Sequence, residues 1–199
     1  MGEALRAPAA AWLALAALLG LGALACWQNP ALPAASQLDW QPARLAAEPW
    51  RAFTAAFVHG SAPHLAGNLG ALAAVADFGW AARLPAAAAL AWLAAWPLTH
   101  LGLLLRPELL FYGGLSGVLH AGVAAAALWL AAEAQGARRF VALATLAGLG
   151  VKLLSERPWG DTLVADGALT VAPLAHAAGA LAGLVCTLAL LAWRHTHRP

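Results

Sequence analysis

"GGLSGVLHAGVAAAALWLAAE", residues 113–133, decides how this chain is read. From Leu115 onward the run is apolar and long enough to cross a bilayer as a helix, which takes about 17–25 residues. Its first turns nonetheless carry Ser116 between glycines and, four residues later, His120. Hydrocarbon does not reward a hydroxyl or an imidazole. Polar side chains at membrane depth are costly, and they face a bundle interior or water. The stretch therefore points to a membrane protein, and it sets a search for polar partners elsewhere in the chain.

Composition agrees with the first point. Of 199 residues, 62% are hydrophobic and only 10% charged, and the mean hydropathy is +0.72. Soluble domains keep about a quarter of their residues charged, so this chain lacks the polar surface to cover itself. Apolar runs predict six spanning helices, over about residues 8–27, 62–80, 85–105, 115–133, 138–155 and 172–193. The first run is long for a signal peptide, and further spans follow it. The expected fold is an all-α six-transmembrane-helix bundle forming a single membrane domain over residues 1–199. A net charge of +2 without a basic run gives no nucleic-acid footprint. Cys26 and Cys186 are far apart and fit no metal-ligand spacing. They read as small buried hydrophobes; no metal and no cofactor is expected. Ten Trp against one Tyr reads as compositional bias.

Orientation follows the Lys/Arg bias of the loops. With a cytoplasmic N-terminus, Arg6, Arg83, Arg138, Arg139, Arg194 and Arg198 fall inside, and Arg44, Arg51, Arg106 and Arg157 outside. The majority favours N-in, C-in. The outer face then holds a long first loop, residues 28–61, a short one at 106–114 and a third at 156–171. The third carries Asp161 and Asp166.

The second, fourth and sixth spans all start from the outer face, and each carries polar residues in its first turns. The second begins "SAPHLAGN" with His64 and Asn68, and the fourth carries Ser116 and His120. The sixth begins "APLAHAAGALAG" with His176. At about 1.5 Å rise per residue these sets lie at one depth. His64 and Asn68 share a face, as do Ser116 and His120, because both pairs are i,i+4. On the sixth span Gly179 and Gly183 lie on the His176 stripe. A small-xxx-small pair lets a neighbouring helix approach closely. Gly114 and Gly117 offer the matching surface on the fourth, so Ser116 is expected to reach the ring of His176.

That juxtaposition has a chemical reading. Serine is a weak nucleophile until a base takes its proton, and histidine does this near neutral pH. Acyl transfer also needs donors aimed at the developing oxyanion. The free N–H groups at the start of the fourth span supply some, and His64 and Asn68 supply side-chain donors. No acidic third member is expected at this depth: Asp77 lies toward the inner end of its helix, and Asp161 and Asp166 lie in a loop.

The chain resembles the rhomboid intramembrane serine proteases of the minimal six-helix type. "GLSG" at 114–117 is similar to that family's GxSG motif, "HLAGN" at 64–68 to HxxxN, and "AHAAGALAG" at 175–183 to AHxxGxxxG. "WRAFTAAFVHGSAPHLAGN", from Trp50 to Asn68, resembles the family's Trp-Arg first loop running into the second helix. The likeness covers about residues 50–190. It implies that Ser116 is the nucleophile and His176 the general base, with His64, Asn68 and the Ser116 amide forming the oxyanion hole. It makes Trp50 and Arg51 loop anchors and gives His59 a structural role. Many family members carry Tyr four residues after the serine, beneath the histidine. Here that position is His120, expected to stack on His176 or to hydrogen-bond locally.

"GLSGVLHA" and the compact size resemble the rhombosortase branch. That likeness implies an enzyme of the bacterial inner membrane opening toward the periplasm. Its substrates would be secreted proteins ending in Gly-Gly, a spanning helix and a basic tail. A Gly-rich segment fits physically, since Gly costs about 1 kcal/mol relative to Ala within a helix and so eases local unwinding. Three alternatives stand beside it. They are a general rhomboid protease with other membrane-anchored substrates, a catalytically silent protein that binds membrane helices, and a small transporter. Lys152 and Glu156, i,i+4 in the fifth span, read as a snorkelling lysine with its partner. Nothing in its spacing singles out His100.

Overall fold

The computed structural model describes residues 9–28, 37–160, 163–165 and 169–197. Arg6, Arg198, Asp161 and Asp166, used above for orientation and loop chemistry, lie outside these. The helices are α1 (Ala10–Gln28), a short α2 (Arg51–Thr54), α3 (Ala62–Ala81), α4 (Ala86–Leu101), α5 (Ser116–Glu133), α6 (Gly136–Glu156) and α7 (Pro173–Thr196). Strands β1 (Leu163–Ala165) and β2 (Leu169–Val171) form an antiparallel hairpin between α6 and α7.

Local chemistry sets the helix starts. Ser61 caps α3 by accepting the His64 N–H at 3.3 Å, and Pro63 occupies its first turn, where no N–H is required. Pro97 lies inside α4, which passes into a 3₁₀ turn over Gly102–Leu105. Together these two pieces make up the third sequence-predicted span. Gly114, at φ +145°, turns the chain so that α5 starts at Ser116.

By length and composition α1, α4 with its 3₁₀ extension, α5 and α7 are able to cross a membrane, as in a multi-pass membrane protein. The segments expected to form the other two spans are helical, as α3 and α6 of 20 and 21 residues, but they are less apolar and do not qualify as spans on length and composition. His64, Asn68 and Asp77 interrupt α3; Arg138, Arg139, Lys152 and Glu156 interrupt α6. Leu18 and Leu21 of α1, Val151 and Leu154 of α6, and Leu181 and Leu188 of α7 are exposed, which suits a surface against lipid.

Tryptophan and glycine build the interior. Trp12 and Trp92 are fully buried, with ring centroids 4.5 Å apart. Trp12 Nε1 donates to Val75 O at 3.0 Å, tying α1 to α3, and Trp92 Nε1 donates to Val118 O at 2.8 Å, tying α4 to α5. Gly79 makes room for the first indole, and a Cβ at Gly122 would lie 2.7 Å from the second. These two tryptophans are structural ties rather than a by-product of composition.

Residues 37–60 of the first loop are folded rather than slack. Arg51 is buried, and its Nη1 donates to Asp39 O at 2.8 Å and Oδ1 at 3.0 Å; its Nε is paired with Glu48. The Arg51 guanidinium holds Glu48 below the usual carboxylate range, while burial raises Asp39 against the same cation. Trp40 and Tyr112 exchange backbone hydrogen bonds of 2.7 and 3.0 Å, joining the first loop to the second. His100 is fully buried, and its Nδ1–H donates to Ala52 O at 2.7 Å. It holds the loop on α4, a role its sequence spacing does not suggest. Trp50, by contrast, is exposed.

Candidate active site

Ser116 and His176, 60 residues apart, meet where α5 and α7 begin, with Ser116 Oγ 2.9 Å from His176 Nε2. The meeting depends on how closely the two helices approach. A Cβ on Gly179 would overlap the Gly117 carbonyl, and one on Gly183 would overlap the Ala121 carbonyl. One on Gly117 would lie 2.8 Å from Ala175 O. Backbone therefore packs on backbone over the first turns of both helices, as small residues permit. Gly114 does not share this role. It precedes α5, donates its N–H to Ala55 O at 2.9 Å, and lies against the His64 ring. The partner surface for Gly183 is Ala121, because Gly114 lies before the helix starts.

His120 lies beneath His176 with ring centroids 4.2 Å apart and planes 13° from parallel. Its Nδ1–H donates to Ser116 O at 2.7 Å. Both arrangements expected for His120 occur at once, because the i,i+4 bond turns the flat face of the ring toward α7.

The expectation of no acidic residue at this depth is overturned by Glu156. Its Oε2 lies 2.8 Å from His176 Nδ1, and its Oε1 is paired with Lys152. A carboxylate only accepts, so Nδ1 carries the proton and donates. Nε2 is then left to accept the Ser116 hydroxyl. The expected Lys152–Glu156 pair exists, but only one carboxylate oxygen serves it. Glu156 ends α6 at the end of the bundle from which α7 starts, so His176 and Glu156 share a level although 20 residues separate them.

His64 and Asn68 lie on the other side. Asn68 is buried and its Nδ2 donates to His59 Nε2 at 3.0 Å, while His59 Nδ1–H donates to Phe57 O at 3.1 Å. Burial holds His59 down to about 4, so at neutral pH it keeps the lone pair that accepts Asn68. The His59 and His64 rings meet edge to face with centroids 4.9 Å apart. Among the described residues, no hydrogen bond joins His64 or Asn68 to Ser116. His59 takes one of the two side-chain N–H groups of Asn68. Tyr112, the single tyrosine, was not singled out in the sequence. Its hydroxyl donates to Gly114 O at 3.3 Å, and burial pushes its phenol up, opposed by neighbouring Ser116 and Gly117.

His120, Glu156 and His176 offer ligand atoms within 4.8 Å of one another. The two rings are stacked, so one ion cannot lie in both ring planes, and Glu156 Oε2 already holds His176. The set suits proton transfer better than metal binding. Beside it an apolar cleft of about 430 Å³ runs between α3, α5 and α6, lined by Ala71, Phe78, Val123 and Leu149 and reaching His120 and Lys152.

No curated protein matches the chain. The rhomboid domain family does, over residues 46–193. That range runs from the folded first loop through α7, and includes Ser116, His176 and every side chain placed around them. On a match over well more than half its length, the chain belongs to the rhomboid family, whose members are intramembrane serine proteases.

Proposed function

We propose that this chain is an intramembrane serine endopeptidase in which Ser116 is the nucleophile and His176 the general base. The observation that carries the reading is the 2.9 Å contact between Ser116 Oγ and His176 Nε2. As Oγ attacks the scissile carbonyl carbon, its proton passes to Nε2, and the carbonyl electrons move onto oxygen. The tetrahedral oxyanion is met by the free N–H groups at the start of α5 and by side-chain donors of His64 and Asn68. As the C–N bond breaks, Nε2 returns the proton to the leaving amine, and an acyl-serine remains. A water then attacks this ester and gives its proton to Nε2. Collapse expels Oγ, which takes that proton back and restores the serine. General base catalysis of this kind contributes about 10²–10⁴-fold.

Substrates are membrane-anchored proteins with a helix-destabilising, Gly-rich segment near the outer face. The cleft between α3 and α6 gives an apolar helix a lateral path toward His120. The branch reading is rhombosortase, acting on C-terminal Gly-Gly, spanning-helix and basic-tail signals of secreted proteins. The topology that goes with it is six spans, N-in and C-in, as one domain over residues 1–199 in a bacterial inner membrane. The site then opens toward the periplasm. No cofactor is required.

The test uses the purified full chain in liposomes with a fluorophosphonate probe and two spanning peptides, with and without an outer Gly-Gly. Labelling is expected at Ser116 and absent in Ser116→Ala at equal expression and unfolding midpoint. Cleavage is expected after Gly-Gly in preference to the control peptide. Labelling that survives Ser116→Ala would overturn the nucleophile. Equal cutting of both peptides would leave a general rhomboid protease.

A further inference from the structure

We infer that Glu156 is the positioning residue of a three-membered Glu156–His176–Ser116 relay. This rests on the reading of Ser116 and His176 as nucleophile and base, and it adds a third group, from a third helix. His176 Nε2 is 2.9 Å from Ser116 Oγ and Nδ1 is 2.8 Å from Glu156 Oε2, so both ring nitrogens are committed. The carboxylate fixes the tautomer whose Nε2 lone pair faces the serine. It also stabilises the imidazolium that forms when Oγ gives up its proton. That proton stays on Nε2 until the leaving amine takes it; Glu156 gains none.

The pair with Lys152 does not account for Glu156 by itself. Glu156 is the last residue of α6 and Lys152 stands four residues before it. A carboxylate at a helix C-terminus opposes the macrodipole, and the favourable i,i+4 order has Glu first. A pair placed to stabilise the helix would be reversed. The order found places a carboxylate at the helix end facing α7 and keeps it ionised there. The other titratable groups facing His176 are Ser116 and His120 on α5 and His64 on α3. None of these supplies a negative charge at neutral pH, so among the described residues Glu156 is the counter-ion of the imidazolium.

The test measures the second-order rate of fluorophosphonate labelling at Ser116, and kcat and KM on the Gly-Gly spanning peptide, for the full chain in liposomes. Glu156→Gln keeps an acceptor for Nδ1–H but loses the charge. It is expected to lower the labelling rate and kcat about 100-fold, with KM within about twofold. Glu156→Asp restores the charge and is expected to recover to within about tenfold of wild type. Lys152→Met breaks the same ion pair but leaves Oε2 to accept from His176, so it is expected to lose clearly less of the labelling rate than Glu156→Gln. Unfolding midpoints recorded on each variant separate loss of fold from loss of positioning. Equal losses in Glu156→Gln and Lys152→Met would assign Glu156 to the helix end and overturn the relay. So would a Glu156→Gln protein that labels at the wild-type rate while wild type labels normally. A wild-type protein without Ser116-dependent labelling would instead sink the protease reading, and the relay with it.

Discussion

Helices α5 and α7 meet along a seam of glycine and alanine in which side chains are almost absent, whereas α6 buries only Ala142 of its 21 residues. The seam carries Ser116 and His176; the loosely held helix carries Glu156 and Lys152 and borders the apolar cleft. Close-packed interiors resist small displacements, while segments with few buried contacts open at low cost. Ser116 and His176 are thus held by backbone packing that cannot slide without collision. Glu156 and the apolar cleft belong to a helix whose residues are mostly left uncovered by the rest of the protein.

The largest effect is expected from breaking the seam. Gly179→Val places a Cβ on the Gly117 carbonyl, and neither backbone yields without separating the helices. Overpacking costs about 1–3 kcal/mol where side chains relax; here the obstacle is main chain, so about 3 kcal/mol or more is expected. Ser116 labelling should fall to background with the unfolding midpoint. A Gly179→Val protein that labels and melts like wild type would mean that the seam is not rigid.

His120 sharpens the comparison, because it belongs to the seam yet touches the group that α6 positions. Its stack on His176, 4.2 Å between centroids, is worth about 0.5–1.5 kcal/mol on the scale of aromatic pairs. His120→Ala is therefore expected to slow labelling about tenfold, since about 1.4 kcal/mol is a factor of ten. His120→Phe keeps a flat face under the ring and should recover most of it, although both variants lose the bond to Ser116 O. Equal rates for the two would assign the role to that hydrogen bond instead.

The same contrast explains what could be read from the sequence. Apolar runs and small residues at i,i+4 spacing are local signals, and they carried the helices and the approach of Gly179 and Gly183 to α5. The GxSG, HxxxN and AHxxGxxxG patterns carried the family. For Glu156 the sequence offers a nearer explanation, Lys152 four residues before it on its own helix. Only the packing of α7 against the end of α6 shows the second carboxylate oxygen turned to His176. Its depth was available in principle, since the end of one span and the start of the next lie at the same level. His100 and the paired Trp12 and Trp92 were missed for a different reason: their partners are backbone carbonyls, Ala52, Val75 and Val118, which leave no mark in a sequence. Gly114 was assigned to the seam because a pattern of small residues does not show where a helix begins.

The smallest effect is expected from the loose side, and it is informative because the chemistry of the change is held constant. Gly150 on α6 has no atom within 4 Å of where a Cβ would stand, and its backbone is helical. Gly150→Ala adds the methyl group that Gly179→Ala would add, so a difference between the two variants reads packing alone. Alanine favours a helix over glycine by at most about 1 kcal/mol, so the Gly150→Ala unfolding midpoint should hold or rise slightly. Labelling should stay within about twofold of wild type, as for a change that touches nothing. Gly179→Ala, with its methyl on the Gly117 carbonyl, should lose both. If Gly150→Ala instead slows labelling as strongly as Gly179→Ala, α6 closes against a surface that the resting arrangement leaves open. The division between a fixed seam and a free helix would then fail, because both elements would be packed at the moment of reaction.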